Sequence, residues 1–383
     1  MRKVFASLLS SMLLCSQALA AQPDLTSTAA FDKTCASLLA REPAMVRERQ
    51  AYVICNDVAL VQQGWTFFKQ LAGNYRERQL TPEEMIEAVR AQLTSLRAGL
   101  RKSRAILENI ELRSAGDGLL IAPATWVRDL DGDGTVSTSE RYFFAIPARS
   151  DGALATGMPS EDEEYYAREY NLKAVIRLDQ TDIYWALAYH SFIESLVEAV
   201  LSYDYRGDAE PLRQIRLIDA GGMRRAQELF AAGFRMSDRM RMAALRETDD
   251  DLEWLPNPRQ ANTAFPVPLD AADFRIWEDL LKHLVPLVEG KTLLPISPEA
   301  ARDINAPSLV CPAGKGLDIA ALWREAPRYP LEFLQHGKMG DYCRKIDAKR
   351  PASGLQAFAE AFSSKMDDAE RALRFMRRWL WVN

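Results

Sequence analysis

Asp129, Asp131, Asp133 and Glu140 crowd four acids into twelve residues, with Gly132 and Gly134 between them. Carboxylates packed this closely repel one another unless a cation neutralises them. A hard cation that takes six to eight oxygens in flexible geometry fits that donor set, and calcium is such an ion. In this reading Asp129, Asp131 and Asp133 offer side-chain oxygens and Thr135 offers its backbone carbonyl. Ser137 acts through a water, and Glu140 closes the site with both oxygens. Gly134 permits the sharp turn between them, where a side chain would strain the backbone. Val136 is expected to turn inward and anchor the loop to apolar neighbours.

The stretch Asp129-Leu130-Asp131-Gly132-Asp133-Gly134-Thr135-Val136-Ser137-Thr138-Ser139-Glu140 resembles the EF-hand calcium loop at each diagnostic position. Ordinary composition would produce such a pattern on the order of 10⁻⁴ times per chain of this length. The resemblance covers twelve residues, so it implies a site rather than a whole-chain family. An EF-hand flanks its loop with two helices and usually works in pairs. Here Pro123 limits an entering helix to about residues 125–128, Ser139–Ile146 is helical in pattern up to Pro147, and no second loop of the kind is present. The resemblance therefore implies a lone calcium of structural purpose rather than a paired sensor.

Two other groups carry possible chemistry. His190, Glu194 and Glu198 fall at i, i+4 and i+8 of an otherwise apolar helix. They could line a cleft as acid and base, or form a solvated stripe or a hydrogen-bonded core histidine, and the latter readings carry more weight. Glu247-Thr248-Asp249-Asp250-Asp251-Leu252-Glu253 is an acidic run leading into Trp254 and four prolines. It could supply a cation site or a carboxylate pair, although most charge runs at helix ends are simply solvated. The run resembles segments of secreted bacterial proteins, a likeness that carries no function. No nucleophile elbow, Walker loop, His-Glu-x-x-His or Gly-x-Gly-x-x-Gly motif is present, and no residue is assigned a catalytic role.

The elements that must position these residues are mostly helical. Thr81-Pro82-Glu83-Glu84 is a capping box with proline at the first helical position. Ile86, Val89, Leu93, Leu96, Leu100, Leu107 and Ile110 follow at alternating three and four, interrupted by Ser103, as a packing seam. Further helices are expected over 46–71, 181–202, 208–247 with a break near Gly221-Gly222, 271–284 and 355–380. Strands are expected at 119–121 and 174–178, and 151–159 reads as a loop. The fold class is thus mostly α, a bundle-like architecture with one calcium loop and few short strands. A larger helical region (21–254) would carry the loop, a proline-rich junction (255–268) would follow, and a C-terminal helical region (269–383) would complete the chain.

The first twenty residues read as a secretory signal peptide: Arg2 and Lys3, an apolar run over 4–14, and Ala18-Leu19-Ala20 before the cleavage point. Cleavage would remove Cys15 and two basic residues from the 383-residue chain, leaving 46 basic against 53 acidic residues, a balance of −7. Four cysteines remain, and an even count in an oxidising compartment favours two disulfides. Of three possible pairings the local ones, Cys35–Cys55 and Cys311–Cys343, are expected. Zinc is disfavoured by the absence of any CxxC and by a total of three histidines.

The acidic balance excludes a general nucleic-acid binder. The expected function is an exported, periplasmic or secreted calcium-binding protein that acts as a helical scaffold for an envelope protein partner. The alternative is a calcium-stabilised, carboxylate-dependent hydrolase acting on cell-wall or other carbohydrate. Arg371, Arg374, Arg377 and Arg378 with Trp379 and Trp381 could touch a membrane surface, a lesser reading than core packing for that helix.

Overall fold

The structure is a computed structural model that describes residues 22–76, 80–149, 160–206, 213–303, 310–335 and 338–363. The expected signal peptide, the expected 151–159 loop and the arginine-rich C-terminus lie outside the described residues.

Eight helices build the larger part: α1 (Thr28–Leu39), α2 (Val46–Arg76), α3 (Pro82–Leu107), α4 (Thr138–Arg141), α5 (Glu163–Glu169), α6 (Gln180–Leu201), α7 (Ala220–Arg246) and α8 (Ala271–Val288). The C-terminal part adds α9 (Pro298–Asp303), α10 (Ile319–Arg324), α11 (Pro330–Gln335) and α12 (Leu355–Ser363). Helix packs on helix in the order α1, α2, α3, α6, α7, α8, with α6 against α7 the most extensive pair. The fold is mostly α, as the sequence predicts, and its strands form only two-stranded antiparallel pairs. The two expected strands pair with each other: β1 (Leu120–Ile121) meets β4 (Ile176–Arg177). Between them in sequence lie β2 (Ile146–Pro147) and β3 (Tyr170–Asn171), which also pair.

The α3 start forms as its residues dictate. The Thr81 hydroxyl accepts the Glu84 N–H at 3.2 Å while Glu84 Oε2 accepts the Thr81 N–H at 2.8 Å, with Pro82 at the first turn. The α3 seam packs inside the chain. Leu93, Leu96 and Leu100 meet Val197 and Leu201 of α6, while Leu107 and Ile110 meet Val53 of α2 and Ile183 and Leu187 of α6. The main core runs from Leu25, Phe31 and Tyr52 through Trp126 and Met240 to Phe274, Trp277 and Leu281. Leu255, Phe265 and Val267 of the proline-rich stretch are buried in that same core. Phe192 of α6 lies so close to Gly233 of α7 that an added Cβ would stand 2.5 Å from the ring.

Several boundaries differ from expectation, among them the end of α2, which runs to Arg76 rather than 71. The 208–247 helix begins only at Ala220, because Asp219 Oδ1 accepts the Gly222 N–H at 2.8 Å and caps it there, while Arg216–Leu217 pair as a strand with Tyr203–Asp204. Helix α8 continues past Pro286 to Val288. It ends two residues later, so the proline interrupts little of the ladder.

Both local disulfides are present, Cys35–Cys55 between α1 and α2 and Cys311–Cys343 in the C-terminal part. They point to an oxidising, extracytoplasmic compartment. Among the described residues no helix is long and apolar enough to cross a membrane.

Candidate functional site

The acidic loop sits against the C-terminal half of α2. Gln62 Nε2 donates to the Asp129 carbonyl at 2.9 Å and Thr66 Oγ1 donates to the Leu130 carbonyl at 2.8 Å. Lys69 Nζ stands 3.4 Å from Asp131 Oδ2. Carboxylate oxygens of Asp129, Asp131 and Asp133 converge within 4.8 Å of one another. Asp129 organises the turn by accepting Gly132 N–H at 2.7 Å and Gly134 N–H at 2.9 Å. Both glycines adopt left-handed backbone, with φ of 77° and 90°, which a side chain would strain. The Thr135 side chain donates to Asp133 Oδ1 at 2.7 Å, as does its N–H, and together they hold the Asp133 carboxyl below its usual range.

Glu140 lies outside that group of three. Its Oε1 accepts Leu130 N–H at 2.8 Å and Asp131 N–H at 3.1 Å, and its Oε2 accepts Ser137 N–H at 3.0 Å. Ser137 Oγ also donates to Oε2 at 2.8 Å, so Ser137 caps α4 and Glu140 closes the loop upon itself. Burial pushes the Glu140 carboxyl up, but the hydrogen bonds from Ser137, Asp131 and Leu130 outweigh it and hold the group below its usual range.

Three expectations about this loop fail. No helix enters it: a single 3₁₀ turn at Pro123–Thr125 precedes an irregular approach. The exiting helix is only Thr138–Arg141, because Ile146–Pro147 is drawn into pairing with Tyr170–Asn171. Val136 does not turn inward, being 37% exposed; the fully buried Leu130 anchors the loop instead, since without a helix pair there is no partner loop for Val136 to meet.

In the His190–Glu194–Glu198 stripe the two glutamates neither line a cleft nor meet solvent. Glu194 and Glu198 are 1% exposed and face arginines of α3. Arg101 Nε meets Glu194 Oε1 at 2.7 Å, Arg104 Nε meets Glu194 Oε2 at 2.9 Å, and Arg97 Nη1 meets Glu198 Oε2 at 3.2 Å. Arg101 also bonds Glu198, and Arg225 of α7 reaches it at 3.4 Å. His190 is a core histidine. Its Nδ1 lies 2.7 Å from the Ala186 carbonyl and its Nε2 lies 3.0 Å from Asp57 Oδ2. Burial pulls the imidazole down, but Asp57 and the carbonyl win and raise it. Ser103, the residue that breaks the α3 seam, is wholly buried and donates to Asp57 Oδ1 at 2.7 Å.

The acidic run is likewise not simply solvated. Glu247 and Glu253 converge with Asp179, the N-cap of α6, all within 4.8 Å of one another. They line a cavity of about 160 Å³ together with Asp249, Asp251 and Arg177. Arg177 Nε is bound to Asp251 Oδ2 at 2.6 Å. Leu252 between them adopts φ of 60°, uncommon for a branched residue, and this turn sends Asp251 to Arg177 while Glu253 joins Asp179. Burial first, then the Glu247 charge, pushes Asp179 up to about 7. Burial pushes Glu247 up to about 7 against a hydrogen bond from Thr181. Burial and the bond to Asp179 push Glu253 up to about 8. Asp182, 3% exposed, is raised well above its usual range by burial and by Asp179. Asp179 and Asp182 escaped the sequence reading because their signal there is that of a capping box, Asp179 Oδ1 accepting Asp182 N–H at 3.0 Å.

A second, larger cavity of about 340 Å³ opens between α2, α6 and the β1/β4 pair. Its wall is apolar, with Val53, Ile54, Val58, Ile176 and Ile183 beside Trp126, Phe144, Trp185, Tyr189 and Trp254. Asp57, Asp182, His190 and Gln50 are the polar residues among its lining. Sequence periodicity reports burial along each helix but not a gap between two of them and a strand pair.

No protein-family model, curated protein or solved structure matches the chain.

Proposed function

We propose that this is an exported calcium-binding protein in which calcium has a structural role and the helical scaffold binds another molecule of the cell envelope. The observation that carries the reading is the convergence of the Asp129, Asp131 and Asp133 carboxylates in a glycine-permitted turn. With calcium bound, those three side chains, the Thr135 carbonyl and Glu140 supply the oxygens, with Ser137 acting through a water. The ion would neutralise the loop's charge. The loop in turn holds α2 through Gln62 and Thr66, and α2 walls the large cavity. Export rests on the leader over residues 1–20 and agrees with the disulfides.

Thermal melting in chelator and in calcium tests this. At ~10⁻⁴ M affinity, 10 mM calcium adds about 2.7 kcal/mol, a rise of a few degrees in Tm. The rise is expected to vanish in Asp131→Asn/Asp133→Asn. An unchanged Tm in calcium sinks the reading.

The Asp179, Glu247 and Glu253 group favours a second reading, a carboxylate-dependent hydrolase of cell-wall or other carbohydrate. Carboxyls that titrate near 7 can act as acid and base. However, a cavity of about 160 Å³ falls below the ~300 Å³ at which ligand pockets begin. The binding reading is therefore the stronger. Release of soluble sugar from peptidoglycan that stops in Glu253→Gln would reverse that order.

A further inference from the structure

The large cavity holds a polar group that the fold itself does not satisfy. Asp182 is 3% exposed, and its Oδ2 accepts the Asp179 N–H at 3.1 Å as part of the α6 cap. Its Oδ1 is buried and has no hydrogen-bond partner among the described residues. A buried carboxyl oxygen left unpaired costs about 1–3 kcal/mol, more when charged. Asp182 belongs to the lining of the 340 Å³ cavity.

The charge around the cavity selects the molecule. Among the described residues no lysine or arginine lines it. Its ionisable groups are Asp57, Asp182 and His190, and the His190 charge is already met by Asp57 and the Ala186 carbonyl. The charged groups that act most on Asp182 are Asp179, Glu247 and Glu253, all acids. An anionic lipid or fatty acid finds no lysine or arginine there to pair with, whereas an ammonium can displace the proton of the Asp182 carboxyl and pair with the carboxylate that is left. Trp126, Trp185 and Trp254 offer aromatic faces that attract a cation.

We propose that this cavity binds an apolar primary amine in its ammonium form, the nitrogen donating to Asp182 Oδ1 and the hydrocarbon lying among the tryptophans. This names the ligand class of the scaffold proposed above, but it does not depend on calcium, and the two are tested by different readouts.

The probe is octylamine, with octanol and octanoate as neutral and anionic counterparts of equal length. Binding is followed by the emission of the cavity tryptophans below micelle-forming concentrations. Octylamine is expected to bind about tenfold tighter than octanol, as a charge-assisted hydrogen bond supplies, and octanoate weakest of the three. Asp182→Asn is expected to remove that advantage and leave octanol within twofold. Ala186→Phe, which fills the cavity, is expected to abolish all binding. Octanol or octanoate binding as tightly as octylamine overturns the proposal, and so does octylamine binding unchanged in Ala186→Phe. The wild-type ranking decides alone if Asp182→Asn does not fold. Titration in chelator separates the ideas: amine binding without calcium stabilisation rejects the loop reading and keeps this one, while the reverse rejects this one.

Discussion

Asp179, Asp182, Glu247 and Glu253 form a group whose protonation is worth more to the folded chain than to the unfolded one. Their folded pKa values are raised, so the stability they provide is fully present below pH ~4, the unfolded carboxyl value, and is lost as pH rises through about 7 and 8. His190 acts with the same sign, its raised pKa giving stability lost above the unfolded value. Calorimetry in chelator should therefore show Tm falling from pH 5 to pH 8, with a shallower fall in Glu253→Gln. A steeper fall in that variant would contradict the assignment. Ser103 offers a second test at this scale. It accepts the Asn56 side chain at 2.9 Å and donates to Asp57, so Ser103→Ala removes a hydrogen bond from each of two half-buried partners and should cost about 0.5–1.5 kcal/mol in urea unfolding. The sequence showed Ser103 only as a fault in the seam, because periodicity records where polar residues fall and not what they meet.

Between elements, the contact of α3 with α6 depends on ion pairs buried on the glutamate side. Glu194 and Glu198 are almost wholly buried while Arg97, Arg101 and Arg104 lie part-exposed above them. Removing one partner of such a pair leaves a buried charge and costs about 3–5 kcal/mol. Arg101→Ala takes a partner from both buried glutamates and should approach that loss, whereas Glu194→Ala leaves only part-exposed arginines that water can reach and should lose less. Equal losses would refute this ordering. Both sides of the network were written in the sequence, arginines at 97, 101 and 104 and glutamates at 194 and 198, each on a helical period. What was not written is that the two helices face one another. The α6–α7 contact has the opposite character, a ring laid on Gly233. Gly233→Ala gains helix propensity worth ~1 kcal/mol but overpacks against Phe192 at a cost of about 1–3 kcal/mol. A net loss is expected, and Phe192→Leu should relieve it.

Across the whole molecule the long helices, both strands of the β1/β4 pair and both disulfides follow from local patterns: caps, periods of three and four, and cysteines close in sequence; the short helices 163–169, 298–303, 319–324 and 330–335 do not. The acidic loop's turn was legible for the same reason. The two cavities were not, since each needs side chains from segments more than a hundred residues apart, such as Asp57 with Trp254 or Leu112 with Glu253. At this scale the Cys35–Cys55 bridge closes a short loop and should contribute about 3 kcal/mol, so Cys35→Ser/Cys55→Ser is expected to melt several degrees lower.

The helix α2 gives its N-terminal half to one space and its C-terminal half to another. Val53, Asp57 and Val58 wall the cavity, and Gln62, Thr66 and Lys69 hold the acidic loop. Occupants of the two places therefore share one rigid rod, and their free energies are linked through it. Whatever factor calcium applies to the amine's affinity, the amine must apply to calcium's, because the thermodynamic cycle closes. A pair of titrations, each run with the other occupant present and absent, reads that factor twice.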